Sequence, residues 1–377
     1  MSCSLTDITD TNYKMVVLLR STDGNPDSRF EKYVDFLEAN GVGYITLCWD
    51  RKNIKTDDQK HIYYRRPAVY GSRWKNLGGH VGFYWFLIKT LFRLRKDYSV
   101  IHACDLDTVI PAVLSRVLLG KKYIYDVFDW FVDSNNIQGL LKYVIYALEF
   151  INIKLASAVI VCEKERVKQI IFKPRKLWVL PNIPNMANIS LPESSKNEKL
   201  TIAYVGILGQ NRGIEYLVEY AKSHQEAIQI KVAGFGKLET LFNDVQDYLN
   251  IEYFGAVTYH KALEIMNSAD VILAIYEKKD KNQILAAPNK YYEGLCLGKP
   301  IITTVGTIPG NRSIEDNTGY AIDEQYSDLE TLIDSLSYDD IALKSKNATR
   351  IWKNKYSTYV QDFLETEYLP FIQSYEK

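Results

Sequence analysis

Lys290 and Glu293, three residues apart in Ala287-Pro-Asn-Lys-Tyr-Tyr-Glu293, are the side chains best spaced for binding chemistry. Asn289, with Pro288 before it, is a favourable helix start, and a spacing of three puts both charges on one face of the first turn. An ammonium there is a compact charge suited to a phosphate. A carboxylate one turn in accepts two hydrogen bonds, as a vicinal diol such as a ribose requires. The same pair can equally be a surface ion pair contributing roughly a few tenths of a kcal/mol. A second place is Ala203-Tyr-Val-Gly-Ile-Leu-Gly-Gln-Asn-Arg-Gly213, which leads through a glycine turn into a segment with Ile214, Leu217, Val218 and Ala221 on one face. A helix N-terminus presents free N–H groups and a positive dipole end to an anion, and Arg212 beside it can make a bidentate contact with phosphate. Spacing alone leaves this and a plain turn with a surface arginine equally open.

These residues need a scaffold, and the sequence supplies short apolar runs alternating with helical patterns. The predicted strands are Met15–Leu19, Tyr44–Cys48, Val100–His102, Tyr123–Tyr125, Ala158–Cys162 and Trp178–Leu180, then Thr201–Val205, Gln229–Ala233, Ile251–Phe254, Val271–Ile275 and Ile301–Thr304. They are rich in Val, Ile and Tyr with little polar alternation, the pattern of parallel strands covered on both faces. Between them, Ser28-Arg-Phe-Glu31 has capping-box spacing before Phe30, Val34 and Leu37, and Gly41 stands where a C-cap glycine would. Ile137, Leu141, Val144, Leu148, Ile151 and Leu155 recur at steps of three and four and predict a helix facing a core. Alternation of this kind implies doubly wound α/β architecture. Pro181 to Lys199, with Pro181, Pro184, Pro192 and a polar run, reads as an interdomain linker. The predicted organisation is two Rossmann-like domains, 1–190 and 191–356, with a helix over about 357–377 returning to the first. The aromatics Trp352, Tyr356, Tyr359, Phe363, Tyr368 and Phe371 in the closing stretch need a surface to cover.

Composition narrows the function classes. The chain has 377 residues, enough for two domains, and balances 46 Lys plus Arg against 46 Asp plus Glu. That balance argues against a general nucleic-acid binder. Cys3, Cys48, Cys104, Cys162 and Cys296 form no CxxC pair, so a zinc site or disulfide framework is not expected, and Cys48 and Cys162 read as small core hydrophobes. Met1 to Tyr13 is polar and has no signal-peptide core. The most apolar stretch, Gly139 to Cys162, is broken by Lys142, Glu149, Asn152 and Lys154, so no membrane span is expected. Cytoplasmic localisation follows as the expectation. Arg65, Arg66, Arg73-Trp-Lys75 and Lys89 to Lys96 form either a basic patch for anionic lipids or a solvated helix face. Gly234-Phe-Gly236 is a weak dinucleotide signal, since Glu239 stands where a third glycine would.

Pro288-Asn-Lys-Tyr-Tyr-Glu-Gly-Leu-Cys-Leu-Gly-Lys-Pro300 resembles the donor-site signature of glycosyltransferase family 4, retaining enzymes of the GT-B fold. Val205-Gly206 through Arg212-Gly213 looks like that family's phosphate loop. Val232-Ala-Gly-Phe-Gly236 looks like its next strand and turn. Tyr253-Phe-Gly-Ala-Val257 with Ala269-Asp270 resembles the region around the base, and Thr318-Gly-Tyr320 a late loop. The resemblance implies a GT-B fold, two facing Rossmann-like domains with a deep interdomain cleft. It places Gly206, Arg212, Gly234, Pro288, Asn289, Lys290 and Glu293 at the donor, with Arg212 and Lys290 on the pyrophosphate and Glu293 on the ribose. Ile207 stands where many members have arginine, and Leu285 where many have a further glutamate; backbone from Leu285 to Pro288 remains to serve the sugar.

In the first half, Val100-Ile-His-Ala-Cys-Asp-Leu-Asp-Thr108 resembles a strand and turn that often reads His-Ala-His-Asp, with His102 matching and Cys104 replacing the second histidine. Asp107 is expected at a helix start and Asp105 toward the cleft. Tyr125-Asp-Val-Phe-Asp-Trp-Phe131 resembles Tyr-Asp-x-His-Glu, with Phe128 at the histidine position, leaving Asp126 and Asp129 as cleft carboxylates or as helix caps. Arg29 faces either the cleft or solvent, and His80 and His102 are the histidines of interest. The resemblance implies transfer of a sugar from a UDP- or GDP-linked donor to a carbohydrate or lipid-linked acceptor. It implies retention and no metal or other cofactor, with catalytic roles falling to Asp105, Asp126, Asp129, Arg212 and Lys290. Surface polysaccharide or glycolipid assembly, with peripheral contact at the inner face of the membrane, is the expected setting. A non-catalytic GT-B subunit is the alternative, followed by a nucleotide-sugar epimerase and a nicotinamide dehydrogenase.

Overall fold

Short β-branched runs with apolar residues on both faces can be stable only where helices cover both sides, and the chain builds two such units. One comprises Met1–Pro181 with Gln361–Lys377, the other Asn182–Val360. A computed structural model describes residues 14–24, 27–68, 73–184, 189–192, 197–245, 247–279, 281–285 and 288–375.

In the first unit, strands β1 (Met15–Arg20), β2 (Tyr44–Asp50), β3 (His61–Arg65), β4 (Tyr98–Cys104), β5 (Lys122–Val127), β6 (Ala158–Val161) and β7 (Leu177–Val179) form one parallel sheet. Its order is β3-β2-β1-β4-β5-β6-β7. The helices are α1 (Ser28–Ala39), α2 (Arg73–Arg93), α3 (Leu106–Leu119), the short α4 (Phe131–Ser134) and α5 (Leu140–Leu155). Strands β2 and β4 are buried along their whole length. Val17 registers with Ile45 on one side and Ile101 on the other, and these three join Phe83, Leu87 and Val109 of α2 and α3 in the core.

The second unit repeats the plan. Strands β8 (Leu200–Val205), β9 (Ile228–Ala233), β10 (Ile251–Tyr253), β11 (Val271–Ala274), β12 (Ile301–Thr304) and β13 (Gly319–Ile322) lie parallel in the order β10-β9-β8-β11-β12-β13. Helices α6 (Ile214–Ser223), α7 (Tyr259–Asn267), α8 (Lys281–Ile284), α9 (Asn289–Leu297), α10 (Ile308–Glu315), α11 (Tyr326–Ser335) and α12 (Tyr338–Ile351) follow their strands. From Asn182 on, the described residues of the Pro-rich stretch belong to this unit: Ile183, Ile189 and Leu191 pack into its core. The closing aromatics divide. Trp352, Tyr356 and Tyr359 pack on the second unit's core. Phe363 and Phe371 lie edge-on to Trp178 in the first, at 5.6 and 5.0 Å between ring centroids. Cys48, Cys104 and Cys162 are buried free thiols.

Several expectations are corrected. The cap of α1 is Asp27, whose side chain accepts from the Phe30 N–H, not Ser28 of the capping box. β3 and β13 were missed: both are edge strands, and edge strands bury too little to carry a strong apolar run. Thr318-Gly-Tyr320 is therefore the start of a strand, with Gly319 opposite Ile301. The largest correction concerns α5. Its predicted core stripe faces outward, with Leu141, Val144, Leu148 and Ile151 exposed, while Glu149, Asn152 and Ile153 face inward. Periodicity identifies the helix and its apolar side but not what that side meets.

Candidate functional site

In an open parallel sheet, ligands bind outside the carboxyl ends of the strands, where strand order reverses. In the second unit that point lies between β8 and β11. The β8 exit is the loop Gly206–Gly213, and the β11 exit is Ile275–Tyr276. Two glycines allow the backbones there to close up. A Cβ on Gly234 would lie 1.8 Å from the Gly206 carbonyl oxygen. A Cβ on Gly206 would lie 2.9 Å from Lys290 Nζ, so the ammonium rests on bare backbone. The loop is tied by Gly206 N–H donating to Ala233 O, and by the Tyr204 hydroxyl donating to Ile207 O at 2.7 Å.

The charges at this point are cationic. Lys290 Nζ lies 5.0 Å from the Tyr204 ring centroid, and the Arg212 guanidinium 5.9 Å from that of Tyr276. Both are within cation–π range, and neither is in an ion pair among the described residues. Burial pushes the Lys290 ammonium down to about 8; Glu293 opposes the shift and Arg212 adds to it. Burial raises the Tyr204 phenol to about 12, so it stays neutral beneath the lysine. Helix α9 starts after Pro288 and α6 after Gly213, and neither cap residue makes a side-chain hydrogen bond to its helix. The first N–H groups of both helices are thus left to an anion. Glu293 is buried on α9, and one of its oxygens accepts from the Tyr259 hydroxyl at 3.1 Å.

Two neighbouring features are ill suited to a phosphate. At the β9 turn, Glu239 accepts the Gly236 N–H at 2.6 Å, placing a carboxylate where the dinucleotide reading needs an anion-free loop. A cavity of about 290 Å³ beside the β8 loop is lined by Asn211, Gly213, Tyr216 and three carboxylates, Glu215, Asp323 and Glu324. Its charge is of the wrong sign, and neither Lys290 nor Glu293 lines it. Asp270, which the resemblance put near the base, sits instead at the amino end of β11. It accepts from Thr201 N–H at 2.8 Å and from Asn197 at 3.1 Å, at the start of β8. That is the end of the sheet opposite the switch point, so its role is to tie strands. Ile207 is exposed, and Leu285 is half-buried after α8, its N–H donating to Lys281 O. Ala286 and Ala287 lie outside the described residues.

In the first unit the corresponding ends carry charges that neutralise one another. Asp126 on β5 is fully buried. It pairs with Arg29 at 2.8 Å, accepts from the Tyr33 hydroxyl at 2.7 Å and lies 3.5 Å from His102 Nε2. Burial alone would raise its pKa, but Arg29 and His102 outweigh this and hold it below the usual carboxylate range. Arg29 is neither a cleft nor a surface residue; it is buried, and it also donates to Leu180 O at 2.5 Å. His102 reaches the Tyr368 hydroxyl through Nδ1 at 2.9 Å, which keys the returning segment to β4. Asp105 occupies the N-cap position of α3 with φ +65°. Its carboxylate accepts from Arg20 at 2.5 Å and from the Phe128 N–H at 2.9 Å, while Asp107, in the first turn, accepts from Ser21. Asp107 thus stands at the helix start, as expected, while Asp105 holds the N-cap position without a side-chain hydrogen bond to the helix and is engaged by Arg20 and Phe128 instead. Burial raises Asp105 to about 6, against the pull of Arg20. Phe128 lies under two arginines, with Arg20 at 4.2 Å and Arg29 at 5.0 Å from its ring centroid. Asp129 is exposed and pairs with the buried Arg166 at 3.0 Å. His80 is set edge-on to Trp49 at 4.9 Å, and burial lowers its pKa.

Arg20 and Tyr33 in the first unit, and Tyr204, Tyr259 and Tyr276 in the second, were not singled out from sequence, and Tyr368 was marked only as an aromatic needing a surface. The available signal was position: Arg20 ends β1, Tyr204 lies near the end of β8, and Tyr276 follows β11.

The glycosyl transferases group 1 family model matches residues 199–338, a span that holds Gly206, Arg212, Gly234, Lys290 and Glu293. No curated protein matches the chain. Among solved structures, sucrose-phosphate synthase from Thermosynechococcus elongatus is 15% identical, with TM-score 0.68 over 95% of this chain and 99% of that one. The HepE protein of Anabaena, in complex with UDP-glucose, is 12% identical with TM-score 0.65, over 93% and 98% of the two chains. WaaG, a glycosyltransferase involved in lipopolysaccharide biosynthesis, is 15% identical with TM-score 0.65, over 92% and 97%. The likeness to these structures is one of fold: two parallel-sheet Rossmann-like units, as in GT-B glycosyltransferases.

Proposed function

We propose that the chain is a glycosyltransferase of the group 1, GT-B type that moves a sugar from a nucleoside diphosphate sugar, UDP- or GDP-linked, to an acceptor hydroxyl. The observation that carries this is the pair of cations Lys290 and Arg212, in no ion pair among the described residues, on aromatic faces at the switch point of the second unit. They lie beside helix starts whose N–H groups are not capped by side chains. A half-buried ammonium and a guanidinium side by side, with no ion pair among the described residues, are organised for an anionic ligand. A diphosphate supplies that anion, and Glu293, oriented by Tyr259, would take the ribose hydroxyls.

In this reading the bond from the anomeric carbon to the diphosphate oxygen breaks while the acceptor oxygen bonds to the same carbon on the same face, with retention. The departing phosphate oxygen takes the acceptor proton, and Lys290, Arg212 and the two helix dipoles stabilise the diphosphate charge without a metal. Asp129 is the exposed carboxylate of the first unit that could meet an acceptor, while Asp126 and Asp105 would hold Arg29 and Arg20 in place. The donor is a substrate, and no further cofactor enters. The acceptor would be a carbohydrate or a lipid-linked glycan in surface polysaccharide or glycolipid assembly on the cytoplasmic side; one structural neighbour is a glycosyltransferase involved in lipopolysaccharide biosynthesis.

Calorimetry with UDP, GDP and ADP and their sugar conjugates, on the wild type and Glu293→Ala, tests the reading. Binding of one nucleotide that is lost in the variant, followed by transfer of label from its sugar conjugate, is the expected result. No binding to any of them sinks the proposal. Binding without transfer to any acceptor hydroxyl would favour a non-catalytic GT-B subunit, the reading that apolar Ile207 and Leu285 support.

A further inference from the structure

The layer formed by α2, α3 and α5 covers one face of the first unit's sheet and has an unusual outer surface. Trp85 on α2 is 68% exposed, Val117 on α3 67% and Leu140 at the start of α5 81%. Leu141, Val144, Leu148 and Ile151 continue the exposed strip along α5. Scattered exposed leucines are ordinary, but a strip of exposed apolar residues along one helix, with more on the helices beside it, marks an interaction face.

The charges say what that face meets. The three helices carry seven basic side chains and only two carboxylates, Asp107 and Glu149. Asp107 is held by Ser21 in the first turn of α3, and Glu149 is buried toward the core. No carboxylate of these helices therefore faces outward along α5. Yet the whole chain is balanced, 46 against 46, so the positive charge is concentrated locally. Lys89, Arg93 and Lys154 are exposed and Lys142 half-buried, and none of them is in an ion pair among the described residues. The charged patch read from the sequence is part of this layer, although the side chains of Arg73, Trp74 and Lys75 lie outside the described residues. Arg65 and Arg66 are engaged elsewhere, with Asp57 and the Gly78 carbonyl.

Apolar side chains with a basic rim, on helices that carry no exposed carboxylate among the described residues, match the boundary of an anionic bilayer: acyl chains take the apolar strip and lipid phosphates the lysines. A protein partner would ordinarily be matched with charges of both signs. We infer that the outer face of α2, α3 and α5 docks the protein on an anionic membrane surface. No helix among the described residues is long and apolar enough to cross a membrane, so the contact is peripheral.

Vesicle co-flotation tests this with the full chain. Wild type should float with vesicles of equimolar phosphatidylglycerol and phosphatidylcholine, and binding should fall steeply with added salt. On phosphatidylcholine alone it should bind far more weakly. Lys142→Gln with Lys154→Gln should weaken partitioning roughly fivefold for each lysine removed. Val144→Asp with Ile151→Asp should abolish it, while the thermal midpoint and nucleotide affinity stay at wild-type values. Equal binding by wild type and both double variants would overturn the inference, as would no binding by the wild type. So would sedimentation velocity showing a stable dimer that Val144→Asp dissolves and that ignores vesicles, since a second copy would then own the face. Because nucleotide affinity is read separately, failure here leaves the glycosyltransferase reading standing, and the converse also holds.

Discussion

The two units share one fold but treat charge at the carboxyl ends of their strands in opposite ways. In the first, the two arginines beside β1 and β5 meet carboxylates: Arg29 with Asp126, and Arg20 with Asp27 and Asp105. In the second, Arg212 and Lys290 rest on tyrosine rings, and neither is in an ion pair among the described residues. A paired internal charge is a structural element, and removing one partner leaves the other stranded at low dielectric. An unpaired cation is held at a cost in stability that a ligand anion can return as affinity. Fold alone does not distinguish these uses. The partners do.

The comparison can be broken most directly at Arg29. Arg29→Ala leaves Asp126 buried without its counter-ion and should lower unfolding free energy by about 3–5 kcal/mol, read from urea denaturation. Lys290→Ala should leave it unchanged or slightly raised. Equal destabilisation by the two substitutions would erase the distinction.

Glu149 sharpens the point, as a buried carboxyl of the first unit with no cation. Burial raises it to about 8, and one of its oxygens has no hydrogen-bond partner among the described residues. Its pKa is higher folded than unfolded. Its contribution to stability is therefore fully present below the unfolded value and is lost as pH rises through about 8. Glu149→Gln should remove a fall in stability on the order of a few kcal/mol across that window. Denaturation at a series of pH values checks this, and parallel curves for the two proteins would contradict it.

For the second unit, Lys290→Met should weaken binding of the preferred nucleoside diphosphate by about 1.5–3 kcal/mol, the scale of a charge-assisted hydrogen bond. The thermal midpoint without ligand should not fall. Wild-type affinity should decline as pH rises through about 8, where the free ammonium loses its proton. Calorimetry near that pH, in buffers of different ionisation enthalpy, should show proton uptake on binding, and the uptake should vanish in Lys290→Met. The smallest effect belongs to Phe128. Phe128→Leu keeps bulk but removes the ring beneath Arg20 and Arg29, and should cost about 0.5–2 kcal/mol in stability.

Much of this was legible in advance because it is local. The parallel strands announced themselves through apolar runs, and Pro288-Asn289 opens α9 as a Pro-Asn start should. Lys290 and Glu293 are brought to one helix by spacing alone. What failed were inferences that needed a neighbour. The Ser28 capping box lost to Asp27, one residue earlier, whose extended backbone lets its carboxylate reach the Phe30 N–H. Arg29 gives no sign in sequence that its partner lies 97 positions away. Phe128 looked like a departure from a histidine pattern until two arginines were found above it.

By itself, then, the sequence determined the alternation of elements, the two-unit α/β architecture and the candidate anion-binding helix starts, because backbone propensity and apolar periodicity act over a few residues. Tertiary structure alone decided which charges are paired inside the protein and which stand in no ion pair among the described residues, and that the apolar side of α5 faces outward. Desolvation and ion pairing depend on what surrounds a side chain in space, and residues distant in the chain supply those surroundings.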